Sequence, residues 1–130
     1  MHRTSLVYAA IFGGLAVALG AFGAHSLERL TTDAKVLHGF HTGVEYQMYH
    51  ALALLATGIL AANYRSNWIK WASRCFITGI ILFSGSLYII TFLKIQGSTG
   101  VRFAGPITPL GGMFFIFGWL CLLVAVLRKA

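Results

Sequence analysis

Residues 43–55 read GVEYQMYHALALL. From Ala51 onward the stretch is apolar, yet its first turns hold Glu45, Gln47 and His50, with Tyr46 and Tyr49 between them. Only 12 residues run from Ala51 to Ala62 before Asn63, whereas a helix needs about 20 to cross a bilayer. A spanning helix here must therefore carry Tyr46 to His50 inside the hydrocarbon layer or at its edge.

The rest of the chain decides that it spans. The protein has 130 residues, of which 58% are hydrophobic and 10% charged, against about 25% charged in an average soluble domain. A domain this small is mostly surface and cannot hide so much apolar area from water. Four segments are long and apolar enough to cross a bilayer, at about 6–24, 44–64, 69–93 and 106–127. They predict an all-α polytopic membrane protein, an antiparallel bundle of four transmembrane helices, with residues 1–130 forming one membrane domain. The first run is longer than the 7–15 residues of a signal-peptide core, so it reads as a retained span despite Arg3 before it and the small residues Ala21 and Gly23 at its end.

Orientation follows from the bases in the short loops. The N-terminus, second loop and C-terminus carry Arg3, Arg65, Lys70, Arg74, Arg128 and Lys129; the first and third loops carry Arg29, Lys35, Lys94 and Arg102, with Glu28 and Asp33 beside them. That bias places both termini in the cytoplasm. Trp68 and Trp71 sit where an aromatic belt would mark the inner end of the third span. The net charge of +7 comes from bases scattered singly at the ends of apolar runs, which excludes the clustered basic face of a nucleic-acid binder.

The connections are less regular. In the first loop, residues 25–43, Leu27, Leu30, Ala34 and Leu37 follow helical spacing and predict a short amphipathic helix at the interface, weakened by Thr31, Thr32 and Gly39. The third loop, with Gly97, Gly100 and Gly105, reads as irregular, and Pro106 suits the first turn of the fourth helix. Two small-residue rows on the first span, Ala10–Gly14–Ala18 and Ala16–Gly20–Ala24, offer a flat surface for close helix packing, within one bundle or between copies.

Threading the spans up and down brings the unusual polar residues to one end. His25 closes the first span; Tyr46, Gln47 and His50 open the second; Ser84, Ser86 and Tyr88 lie in the later half of the third; Thr108 starts the fourth. At about 1.5 Å per residue, His50 and Ser86 each fall roughly 10 Å inside their helix ends. Tyr46, Gln47 and His50 share an arc of roughly 100°, which should face the bundle because unpaired polar groups in lipid cost several kcal/mol. Intramembrane polar residues are candidate ligand-binding groups, but they also fix helix register by hydrogen bonding. The inner half offers only Cys75, Thr78, Cys121 and Thr57, which speaks against a channel through one bundle. Cys75 and Cys121 read as small apolar side chains.

Other chemistries find little support. His38, His41 and Glu45 would share a helix face and are reasonable metal ligands, but Gly39 and Gly43 weaken the helix they need, so no metal and no cofactor is expected. No carboxylate stands at the depth of His50 to orient an imidazole for a serine nucleophile, so no catalytic residue is assigned.

The motifs GAFGAH (20–25), TGVEYQMYHALALL (42–55), LFSGSLY (82–88) and GPITPLGG (105–112) together resemble the YgdD-like family of small bacterial inner-membrane proteins, which has related members in eukaryotes. The resemblance implies a four-span protein of uncharacterised function and supplies no catalytic residues. The expected reading is a non-enzymatic structural or accessory subunit in the bacterial inner membrane, or alternatively the mitochondrial one. Its environment is the lipid bilayer, with a homo-oligomer or a larger membrane complex as the assemblies open to it. The alternative function is a binder or transport component for a lipid, quinone or other amphiphile at the polar cluster.

Overall fold

The computed structural model describes residues 2–128, so Lys129, one of the bases weighed for orientation, lies outside the described residues. Four long helical segments account for most of the chain. We label them α1 (Arg3–Leu30), α2 (Ala34–Leu60), α3 (Asn67–Ile95) and α4 (Ile107–Leu127), with one short helical turn, Val101–Ala104, ahead of α4. The all-α expectation holds. Three helices are long and apolar enough to cross a membrane: α1, α3, and α4 taken together with its preceding turn.

α2 falls short of that apolarity because Glu45, Gln47 and His50 interrupt it. Its surface is nevertheless divided cleanly. Gln47 and His50 are buried, while Leu52, Leu55 and Ile59 are exposed. The outward surface of the other helices is apolar as well, with Val17 64% and Ile116 60% exposed. Apolar surface of this extent on a small protein requires an apolar surrounding medium.

Neighbouring helices meet with opposed numbering. On α1 and α2, the His2 N–H donates to the Gly58 carbonyl, Phe12 meets Gln47 and Gly23 lies under Phe40. On α3 and α4, Phe76 lies against Gly118, Phe115 against Gly79, and Phe83 against Gly111. α2 joins the two pairs, with Gly43 beside Leu87 and Tyr88 and the His50 ring near Phe76. The apolar centre is built from Ala9, Ala53, Leu54, Ala72, Phe76, Ile80 and Phe115.

Several boundaries differ from the sequence reading. Residues 25–30 continue α1 through a π-type turn at Gly23–Leu27, and the break comes at Thr31, whose backbone is extended. Asp33 then caps α2, its carboxylate accepting from the Lys35 N–H at 2.9 Å. The separate amphipathic helix expected in the first loop therefore does not exist; its residues are divided between two long helices. α2 runs unbroken through Gly39 and Gly43. A helical glycine costs about 1 kcal/mol relative to alanine, but at Gly43 an added Cβ would come within 3.0 Å of the Tyr88 ring, so its absence permits the α2–α3 contact. In the third connection Gly97 adopts φ +68°, a left-handed conformation that glycine takes without penalty.

The small-residue rows on α1 also sort themselves. Ala9 and Ala16 are buried, and Gly20 meets Val44, whereas Ala10, Gly14 and Ala18 are exposed. Trp68 and Trp71 are exposed on the first turns of α3. Arg128 lies 5.7 Å over the Trp68 ring and Arg74 5.1 Å over Trp71, so the end of α4 and the start of α3 share one end of the molecule.

Candidate functional site

α2 is the shared wall of the polar cluster. Gln47 is 3% exposed and links three helices. Its Nε2 donates to the Phe12 carbonyl of α1 at 2.8 Å, and its Oε1 accepts from the Tyr88 hydroxyl of α3 at 2.6 Å. One turn further, His50 is 7% exposed and faces α4. Its Nδ1 is 2.8 Å from the Tyr46 carbonyl, and its Nε2 is 3.1 Å from the Trp119 indole nitrogen. A carbonyl only accepts and an indole N–H only donates. Both bonds therefore form together only in the neutral tautomer with the proton on Nδ1. The imidazole also stacks on Phe115, with centroids 3.6 Å apart and planes within 9°.

The serines tie the remaining helices. The Ser84 hydroxyl donates to the Gly43 carbonyl at 2.6 Å. It lies at the end of a second π-type turn, Ile80–Ser84. Such turns widen the helix by one residue and shift the side chains that follow, which carries Ser84 towards α2 while the Phe83 backbone approaches Gly111 of α4. The Ser86 hydroxyl donates to the Phe83 carbonyl at 2.8 Å and, its one proton so engaged, accepts from the Thr108 hydroxyl at 2.5 Å, so it links α3 to α4.

The expected residues therefore fall into distinct places. Gln47 and Tyr88 form a tie towards α1, Ser84 one between α2 and α3, and Ser86 with Thr108 one between α3 and α4. His50 bridges α2 and α4. Tyr46 is 39% exposed, so the predicted inward arc holds for its two neighbours only; its ring lies flat on Phe83 at 4.8 Å. His25 is exposed on the π-type turn of α1 and has no partner among the described residues. His50 is also deeper in its helix than its span boundary implied. α2 begins at Ala34, which puts His50 roughly 24 Å from that helix end at about 1.5 Å per residue.

Some participants were not read from the sequence. Trp119 and Phe115 complete the surroundings of His50. A tryptophan in mid-helix was the available signal, because its N–H needs an acceptor wherever water is excluded, as it is in lipid. At the opposite end, Ser5 and Ser73 are buried and joined at 2.9 Å, with His2 Nδ1 at 2.5 Å from Ser5. That end is thus more polar than expected, but the apolar centre around Leu54, Phe76 and Ile80 separates the two polar ends. Cys75 and Cys121 are partly buried free thiols, neighbours across the α3–α4 contact. His38, His41 and Glu45 do share one continuous helix, contrary to the weakening expected at Gly39 and Gly43, yet among the described residues no three His, Cys, Asp or Glu converge on a point that would hold a metal.

Residues 19–112 match the family described as Protein of unknown function (DUF423). The match covers most of the chain and takes in every candidate from His25 to Thr108. The chain belongs to this family. Full-length relatives agree with that. The DUF423 protein is 44% identical over 127 residues to the UPF0382 membrane protein YwdK of Bacillus subtilis, covering 97% of this chain and 98% of that one. It is 41% identical over 128 residues to a UPF0382 membrane protein of Staphylococcus epidermidis, covering 98% of each. It is 40% identical over 126 residues to the UPF0382 inner membrane protein YgdD of Escherichia coli, covering 97% of this chain and 91% of that one. No solved structure matches the chain. The resemblance drawn from the four motifs is thereby borne out, as is membership of an uncharacterised family of membrane proteins.

Proposed function

We propose that this DUF423 protein is a non-enzymatic structural or accessory subunit, built as one four-span antiparallel bundle in the bacterial inner membrane with both termini cytoplasmic. The observation that carries the reading is the complete pairing of the cluster. Among the described residues no buried side-chain nitrogen or oxygen lacks a hydrogen-bond partner, and in the cluster most of those partners belong to another helix. Groups held in this way fix register between helices; a catalytic acid or base needs reach to a substrate atom. α2 counts as the fourth span because Gln47 and His50 are turned to protein and Leu52, Leu55 and Ile59 to the surroundings.

The test is His50→Ala in the purified full chain, followed by thermal unfolding in detergent and by native mass spectrometry. The expected result is a lower unfolding midpoint, from the orphaned Trp119 N–H and the lost Phe115 stack, with no bound species lost. An unchanged midpoint together with loss of a co-purifying amphiphile would sink the reading. It would favour the alternative, a binder or transport component for a lipid, quinone or other amphiphile. One observation speaks for that alternative: an open groove of about 300 Å³ runs along Phe12, Leu15 and Ile81, with Gln47 and Tyr88 at its polar edge.

A further inference from the structure

A second groove opens between α2, α3 and the start of α4, at the end that holds the Thr31–Asp33 break. Its volume is about 350 Å³, within the range of about 300–1,000 Å³ that ligand clefts occupy. Val36, Leu87, Ile90 and Pro109 make its walls apolar. Gly39 lines it too, and an added Cβ there would meet nothing within 4 Å, so the absence of a side chain keeps the slot open.

Two cations stand at this groove. Lys35 lies in the first turn of α2 and Lys94 in the last turn of α3, and both are exposed. Among the described residues neither ammonium has a hydrogen bond or an ion pair. The neighbouring carboxylate, Asp33, is turned to the Lys35 backbone N–H as the helix cap. The two hydroxyls that line the groove are already engaged, Thr91 with the Leu87 carbonyl and Thr108 with Ser86. What remains uncommitted is a pair of positive charges beside an apolar slot, near the ends of two helices where lipid headgroups lie. Lysine can keep its stem along apolar surface while its ammonium reaches the headgroup layer.

We propose that this groove binds an anionic phospholipid, with one acyl chain along Leu87, Ile90 and Pro109 and its phosphate between Lys35 and Lys94. A lipid of net negative charge gains from both ammoniums. A zwitterionic lipid brings its own cation to the same place and gains less. The inference is independent of whether the cluster around His50 is structural or functional.

The experiment is native mass spectrometry of the full chain in a neutral detergent, titrated with dioleoyl phosphatidylglycerol or, separately, dioleoyl phosphatidylcholine. The wild type is expected to retain the first phosphatidylglycerol at least fivefold better than phosphatidylcholine. Lys35→Gln with Lys94→Gln should bring phosphatidylglycerol down to the phosphatidylcholine level, and Gly39→Leu should lower retention of both lipids by filling the slot. Lys70→Gln with Arg74→Gln, on α3 towards its other end, should leave retention unchanged. Thermal unfolding of each variant confirms that it is folded. Equal retention of the two lipids by the wild type overturns the proposal. So does undiminished phosphatidylglycerol retention in the Lys35/Lys94 variant, or an equal loss in the Lys70/Arg74 variant, which would mark general attraction to positive charge.

Discussion

Gln47 shows how one side chain can hold three membrane helices, because an amide both donates and accepts. Interhelical hydrogen bonds in membrane proteins average about 0.6 kcal/mol and reach about 1.7. Gln47→Leu breaks the bonds to Phe12 and Tyr88, and the expected loss is about 1–2 kcal/mol. Tyr88→Phe removes one of the two and should cost about 0.5–1 kcal/mol. The double variant should cost less than the sum, since it no longer leaves a buried group without its partner. Denaturation in mixed micelles measures all three; a strictly additive double variant would show that the amide and phenol do not act together. At this scale the inward turn of Gln47 and His50 could be read from helical spacing. The identity of their partners could not. Trp119 lies 69 residues from His50, and no local pattern encodes a meeting at that distance.

At the scale of the element, α3 and α4 are joined by glycines that admit aromatic rings and backbone. A Cβ at Gly111 would stand 2.3 Å from the Phe83 backbone nitrogen, and backbone cannot turn aside as a flexible side chain can. Gly111→Ala should therefore force the helices apart and cost about 1–3 kcal/mol or more, the range for overpacking. Gly14→Ala is the contrast: nothing lies within 4 Å of its added Cβ, and alanine is the better helix former by about 1 kcal/mol. It should leave the unfolding midpoint unchanged or raised. Equal effects at the two sites would mean that the α3–α4 approach is looser than described. Both glycines look alike in sequence, each belonging to a Gly-Gly pair (13–14 and 111–112); the Phe83 backbone, on the π-type turn Ile80–Ser84, lies against Gly111 and nothing lies against Gly14. Similarly, Gly39 and Gly43 suggested a weakened helix, but packing of Gly43 against Leu87 and Tyr88 supports a continuous one.

For the whole molecule, the proposed topology makes a direct prediction. In a background of Cys75→Ser and Cys121→Ser, Ser98→Cys in the third connection should react with a membrane-impermeant maleimide applied to intact cells. Asn63→Cys, in the turn between α2 and α3, should react only after the membrane is opened. The reverse pattern would invert the orientation, and labelling of both from outside would remove one span.

The sequence by itself determined the medium and the class. With 10% charged residues the chain cannot satisfy water, and its apolar runs are as long as helical bilayer crossings require, so helix placement is legible to within a few residues for 69–93 and 106–127. It also marked Gln47, His50, Ser84 and Ser86 as exceptions that lipid would not tolerate unpaired. Only the tertiary structure decided what those exceptions do. It set His25 apart on the surface, gave His50 to Trp119 and Phe115, joined Ser5 to Ser73 at the other end, and left Lys35 and Lys94 beside an open slot. The reason is physical: apolarity is a property summed along a segment, whereas a hydrogen bond is fixed by the direction and separation of two atoms that the chain brings together only by folding.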